Sequence, residues 1–501
     1  MELINWLLLI LACVGFVLGF GVLKRLNNLY YALKLGKKWD ELPPGDLAWP
    51  FLGSTLSFLK YFTLGPPHDF IGHFSKRYGK VDMYKTHMFG KPTIIVCKSE
   101  ICRQVLSDDG TKFVPGYPSN MKALFGKKSL HGVSKAEHRK LRRLTTTPIS
   151  GHAALELYID HIEQTVISGL EEWSSMEKPL ELLTVIKELT FKIIWNIFMG
   201  STPIEDISMS EMENLYNDIA VGLFSLPLNF PGFSFQKSLK AKRRLHEILQ
   251  SIVKEKRLVK KRKMESWEAK DMMDLLIEVR DEDDEGIDDE TIVDLIFGML
   301  FAAQESSAVT TMWATLFLTD NPHVFQKVKE EQEDVIKQRP PTQEGINLSE
   351  IKQMKFLSQV IDETLRASNI SFAVFRETTV DVKINGKIIP KGWKVLLWLR
   401  ELYMDEKLYP SPQHFNPSRW DDFIGNPGAF IPFGLGIRMC PGRDLAKLKI
   451  SIFLHYFCHN KYIMMLERKY RVERLNPQCQ LNYLPSPQPK DKCLARVLKA
   501  A

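Results

Sequence analysis

Phe433-Gly434-Leu435-Gly436-Ile437-Arg438-Met439-Cys440-Pro441-Gly442 is the stretch on which the reading of this chain turns. A lone cysteine in a large protein is usually inert core, but Cys440 sits in a loop punctuated by Gly434, Gly436 and Gly442. Those glycines permit tight turns and let the backbone approach a flat ligand closely. The apolar pattern from Leu445 to Tyr456 predicts a helix that starts just after the cysteine. A helix N-terminus stabilises a thiolate, and nearby backbone N–H groups can bond its sulfur. Arg438 is placed to meet a carboxylate.

The rest of the chain bounds what that loop can belong to. With 501 residues, 45% hydrophobic and 25% charged, it buries a large core, which excludes a mainly disordered protein. The seven cysteines are scattered and form no CxxC pair, which argues against a zinc knuckle or a thioredoxin motif. They also give no disulfide framework, so the working part belongs in a reducing compartment. The net charge of +7 fits an anionic membrane surface or an acidic protein partner. No nucleic-acid motif accompanies it.

Leu3 to Leu23 is a nearly unbroken apolar run of 21 residues, against the roughly 20 that span a bilayer as a helix. A cleaved signal peptide would have a shorter apolar core with basic residues ahead of it. Here Glu2 precedes the run, and Lys24 and Arg25 follow it, extended by Lys34, Lys37 and Lys38. The expectation is an uncleaved transmembrane anchor over 3–23, a basic juxtamembrane linker over 24–41, and one catalytic domain over 42–501 held in the cytosol. Leu42-Pro43-Pro44-Gly45-Asp46 reads as a stiff linker or hinge at that boundary.

Helical periodicity dominates from Glu137 to Gly200 and from Leu245 to Leu318. Thr379 to Leu397 alternates, with Asn385-Gly386 as a hairpin turn and Pro390-Lys391-Gly392 as a second turn. The fold class is therefore mainly α with a minor β-sheet. Gln236 to Lys263 carries twelve Lys and Arg against two Glu, and Asp281 to Glu290 holds eight acidic residues. These read as a solvated helix and a surface loop, with Asp288, Asp289 and Glu290 at the positive end of a following helix. Phe224 to Phe235 is an apolar, Phe- and Pro-rich loop that reads as a membrane-dipping loop, a substrate entrance or buried chain.

The cysteine loop resembles the signature of the cytochrome P-450 superfamily, with Phe433, Gly434, Gly436, Arg438, Cys440 and Gly442 at the family's spacing. Three further motifs agree. Glu363-Thr364-Leu365-Arg366 matches the family's E-x-x-R, and Phe415-Asn416-Pro417-Ser418-Arg419-Trp420 resembles its second arginine motif. Ala302-Ala303-Gln304-Glu305-Ser306-Ser307 matches the stretch that crosses the haem, although Ala303 stands where glycine is usual and Gln304 where close relatives often have histidine. The resemblance implies a P-450 fold binding haem, with Cys440 as the iron ligand and Phe433, Gly434 and Gly442 shaping its cradle. It implies Arg438, Arg142, His138 and Arg376 around the propionates, and Glu363, Arg366 and Arg419 as a structural triad. Glu305 and Ser306 become the catalytic acid–alcohol pair. The basic residues Lys135, Arg139, Lys140 and Arg143 become a docking face for an NADPH-dependent reductase.

Within that superfamily the chain looks closest to the plant ent-kaurenoic acid oxidase and beta-amyrin 11-oxidase group. The shared segments are Tyr84 to Gly90, Arg142 to Leu144, Ile389 to Trp393 and Phe415 to Asp422, and Asn369 to Glu377 leans toward the triterpene oxidases. The implied function is oxygen insertion from molecular oxygen into an unactivated C–H bond of a triterpenoid such as beta-amyrin or cucurbitadienol. The implied site of action is the endoplasmic reticulum membrane. The alternatives are an ent-kaurenoic acid oxidase, a reductase-independent isomerase or dehydratase on the same fold, and a non-catalytic haem-binding membrane protein. Lys461 to Lys469 interrupts a junction that is shorter in those relatives.

Overall fold

The computed structural model describes residues 21–458 and 469–500, apart from 24, 109, 127, 131, 201–208, 264–266, 268, 270, 280–285 and 424–427. Most of the expected anchor and of the Lys461–Lys469 stretch therefore lies outside the described residues. The chain forms two compact units interleaved in sequence. One comprises Met1–Pro118, Phe372–Leu408 and Gly425–Ile431; the other comprises Ser119–Ser371, Tyr409–Ile424 and Pro432–Ala501.

The first unit contains α1 (Thr55–Leu64), α2 (His68–Tyr78) and α3 (Ser99–Ser107). Its five-stranded sheet runs in the order β1 (Met83–Met88), β2 (Lys91–Val96), β8 (Lys394–Trp398), β5 (Ala373–Thr378), β3 (Phe113–Pro115). Only β2 and β8 pair in parallel; the other neighbours are antiparallel. The hairpin expected at Asn385-Gly386 joins β6 (Val382–Ile384) to β7 (Lys387–Ile389), both turn residues having positive φ as a primed turn requires. An aromatic cluster fills the core, where Phe70 stacks on the fully buried Trp398 at 5.3 Å between ring centroids. The Pro43-Pro44-Gly45 segment is not a free linker. The Pro44 carbonyl accepts from the Lys85 N–H at 2.9 Å, and a Cβ on Gly45 would lie 2.1 Å from the Lys85 oxygen. The close approach to β1 explains why only glycine fits there.

The second unit is mostly helical. It contains α4 (Ser119–Phe125), α5 (Lys135–Ser150), α6 (His152–Ser175), α7 (Leu182–Met199), α8 (Met209–Gly222), α9 (Ser234–Lys263) and α10 (Met272–Glu278). There follow α11 (Asp289–Asp320), α12 (Pro322–Lys337), α13 (Leu348–Gln353) and α14 (Lys355–Ser368), with α15 (Leu399–Tyr403) returning to the first unit and α16 (Arg443–Cys458) closing the second. Two small sheets complete it: β4 (Leu180–Glu181) with β12 (Leu494–Ala500) and β9 (Lys469–Arg474), and β10 (Leu481–Asn482) with β11 (Gln488–Pro489).

The 32-residue α11 is the axis of this unit and packs on α7, α9, α14 and α16. Asp288 caps it, its carboxylate accepting from the Thr291 N–H at 3.0 Å. Burial alone would raise the Asp288 pKa. The Thr291 hydroxyl, the Lys128 ammonium and the Thr291 N–H outweigh that and hold it at about 2. Among the described residues, α11 is the one helix long and apolar enough to cross a membrane, and 78% of that apolar window is buried by protein. It is a core helix. The irregular loop runs over 224–233, leaving Leu226, Leu228, Phe230 and Phe233 exposed, while Ser234 and the buried Phe235 already belong to α9.

Candidate active site

The cysteine loop folds back on itself. The Cys440 N–H donates to the Phe433 carbonyl at 2.8 Å, and Met439 N–H to Gly436 at 3.1 Å. Gly434 and Gly436 have φ of 74° and 75°, the left-handed region these reversals need. Then α16 begins three residues after the sulfur. The thiol is pushed up by burial. The Gly442 N–H bonded to it, together with Arg142 and Arg443, pulls the other way, toward thiolate.

Arg142, on α5, donates from Nη1 to the Met439 carbonyl, which sets its guanidinium against the loop beside Cys440. His138, one helical turn earlier, is buried. Arg438 donates to the carbonyls of Leu130 at 3.1 Å and Val133 at 3.3 Å, tying the loop to the segment that leads into α5. Arg376 belongs to the first unit: it is buried on β5, where Nη1 donates to the Phe375 carbonyl at 3.0 Å.

Ala302 and Ser306, four apart on one helical face, are exposed in the middle of α11, although the turns on either side are buried. Glu305 points elsewhere. Its Oε2 pairs with Lys187 of α7 at 2.6 Å, and its Oε1 accepts from the Ser486 hydroxyl at 3.0 Å. Lys187 also acts on Glu213 of α8, whose carboxyl burial and Glu188 push up while Lys187 and Lys492 pull down. The expected acid–alcohol pair is thus adjacent in sequence but bonded to different partners, because neighbouring helical residues do not share a face. Gln304 is buried, and no protein group bonds its Nε2.

The Glu363–Arg366–Arg419 cluster assembles as expected. Arg366 bonds both oxygens of Glu363, at 2.9 and 2.8 Å, and Arg419 Nε reaches Oε1 at 3.0 Å. The remaining donors go to loop carbonyls: Arg366 to Pro412 at 2.9 Å, Arg419 to Pro410 at 2.9 Å and His414 at 3.1 Å. Every lone pair and proton of a buried ion cluster needs such a partner.

Sequence reasoning missed two lysines. Lys187 carries no motif. Lys449, buried on α16, donates to the Ser307 hydroxyl of α11 at 3.0 Å. Its sequence signal was a second cation, two residues after Lys447, inside the mainly apolar run from Leu445 to Cys458.

The residues present fit a thiolate-held iron macrocycle. Among the described residues no three His, Cys, Asp or Glu converge on a metal. A Cβ on Gly442 would meet nothing within 4 Å, and one on Gly434 only backbone at 3.9 Å, which leaves space beside the loop for a flat group. One N–H-bonded sulfur at a helix start, with cations against it, is the donor arrangement that suits a single-thiolate cofactor.

The chain belongs to the cytochrome P450 family, whose model matches residues 43–467. It is 49% identical over 489 residues to the beta-amyrin 11-oxidase of Glycyrrhiza uralensis, covering 97% of each chain. It is 45% identical to ent-kaurenoic acid oxidase 1 of Arabidopsis thaliana over 99% of each chain, and 45% identical to a (21S)-21-acetyl-1-hydroxy-apo-melianone synthase of Melia azedarach over 99% of this chain and 98% of that one. Among solved structures, retinoic acid-bound cyanobacterial CYP120A1 matches with a TM-score of 0.79 and 25% identity, over 92% of this chain and 99% of that chain. The mainly helical P450 fold and the plant oxidase group expected from the sequence are thereby established.

Proposed function

We propose that the protein is a membrane-bound, reductase-dependent monooxygenase that holds haem through Cys440 and oxidises an unactivated C–H bond of a triterpenoid skeleton. The observation that carries the reading is the cysteine loop, with its N–H-bonded sulfur, left-handed glycines and apposed Arg142. The 49% identity to a beta-amyrin oxidase supports the substrate class. Ent-kaurenoic acid is the second reading, favoured by the 45% identity to an oxidase of that acid.

Haem, when bound, supplies oxygen activation: one oxygen atom enters the substrate C–H bond, the other leaves as water, and NADPH together with one proton from solvent provides the two electrons and two protons. The chain's residues do the rest. Cys440 would ligate the iron, with Phe433, Gly434 and Gly442 shaping its loop. Arg142, Arg438, His138 and Arg376 are the residues that would hold the propionates. Glu305 and Ser306 are the groups that relay protons to the reacting centre, with Lys187 fixing the Glu305 carboxylate. Arg139, Lys140 and Arg143 are exposed on α5 and form, with Lys135, the basic surface that receives the acidic reductase. The 3–23 run and the exposed Phe230 and Phe233 seat the chain on the endoplasmic reticulum.

The test is incubation of membranes holding the chain and a plant reductase with beta-amyrin, cucurbitadienol and ent-kaurenoic acid, read by mass spectrometry. NADPH-dependent gain of one oxygen by a triterpene supports the reading. Gain only on ent-kaurenoic acid supports the second, and conversion of a hydroperoxide without NADPH contradicts both.

A further inference from the structure

Hydroxyl side chains crowd the centre of α11. Ser306, Ser307, Thr310, Thr311 and Thr315 each donate to the carbonyl four residues earlier. Such back-bonding competes with the helix ladder and softens or bends it. The softened segment is the one that carries Glu305 and Ser306. Lys187 and Ser486 hold Glu305 from one side, and from α16 Lys449 Nζ donates to Ser307 Oγ at 3.0 Å, linking residues 142 apart in sequence. Ser307 in turn donates to Ala303, so the amine braces the Ala303–Ser307 turn itself.

We propose that Lys449 is a positioning residue: its buried amine clamps the Ala303–Ser307 turn of α11 to the helix that follows Cys440, fixing where Glu305 and Ser306 stand relative to the sulfur. The inference deepens the monooxygenase reading and rests on it for its catalytic consequence. Lys449 lies six residues into α16, about 9 Å along it, so one rigid helix is committed at its start to the thiol loop and near its middle to α11.

Burial, with no acidic partner set against it, depresses the amine to about 7, so it loses its charge as pH rises past that value. The titratable groups on the elements packed against α16 are occupied or remote. Glu163 of α6 takes the Tyr456 hydroxyl, and Asp362 of α14 takes Lys447. His455 bonds Gln332 of α12, and Glu350 of α13 takes Arg339. Arg142 of α5 bonds Met439, Glu305 of α11 takes Lys187, and Arg471 and Glu473 of β9 are exposed.

Two measurements on the full chain test this. In urea unfolding against pH, the native state binds no proton at Lys449 above about pH 7 while the unfolded chain still does. Lys449→Met should therefore be more stable than wild type at low pH. Its advantage in the folding constant should shrink about tenfold per pH unit above about pH 7. An advantage independent of pH would mean a charged, paired lysine and would overturn the clamp. In reductase-coupled turnover of beta-amyrin, Lys449→Met and Ser307→Ala should each raise hydrogen peroxide released per NADPH several-fold. The double variant should be no worse than the worse single one. Wild-type peroxide yields in both singles, or additive effects, would contradict it. Should Lys449→Met fail to fold, Ser307→Ala and the wild-type pH profile still decide. Failure of the haem reading would appear separately, as loss of the thiolate-type carbon monoxide spectrum in wild type, since unfolding is read without it.

Discussion

Glu363 and Arg366 have no exposed side-chain surface, whereas Glu305 and Lys187 keep 17% and 13% of theirs. Both are carboxylate–cation pairs within the same unit. In the first, the guanidinium forks onto both oxygens, a second arginine joins, and loop carbonyls take the remaining donors. In the second, a flexible lysine makes one contact and a serine the other. Arginine's planar fork locks geometry, whereas lysine offers a point charge on a flexible stem. The first arrangement holds a fold. The second leaves a carboxylate within reach of solvent, which is what a proton carrier requires.

Substitutions separate the two. Arg366→Leu strands Glu363 in a dry core and should cost about 3–5 kcal/mol, seen as a collapse of the urea midpoint. Glu305→Gln should leave that midpoint nearly unchanged while slowing product formation about a hundredfold or more, the usual scale for a lost proton-transfer group. A Glu305→Gln variant that turns over normally, or unfolds, would erase the distinction. Lys187→Met should alter turnover more than stability, about tenfold against about 1 kcal/mol; the reverse pattern would make this pair structural too.

At the far end of the scale is the exposed Lys128–Asp288 pair at the start of α11. Asp288→Ala should cost about 1 kcal/mol, mainly as a lost cap. Because the folded carboxyl is held at about 2, below its unfolded value, the wild-type advantage is present in full above the unfolded pKa. It should disappear as pH falls from about 4 toward 2.

Legibility followed the range of the interaction. The Asn385-Gly386 hairpin, the helix after Cys440 and the acidic start of α11 are written in adjacent residues, and each formed where the sequence put it. The triad was legible only because the resemblance linked two motifs; E-x-x-R alone reads as a surface ion pair. Pro43-Pro44-Gly45 looked like a linker because its partner, Lys85 on β1, lies far along the chain. The bonds from Lys187 and Lys449 to α11 were hidden for the same reason: spacing shows which face a residue occupies, not which helix will meet it.

The central claim is that Cys440 is a thiolate ligand. Membranes holding the full chain should be reduced with dithionite, exposed to carbon monoxide and compared with a Cys440→Ala variant by difference spectroscopy. The account predicts the red-shifted Soret band of a thiolate-ligated haem in wild type and its loss in the variant. A wild type without that band, or a variant that keeps it, would contradict the account.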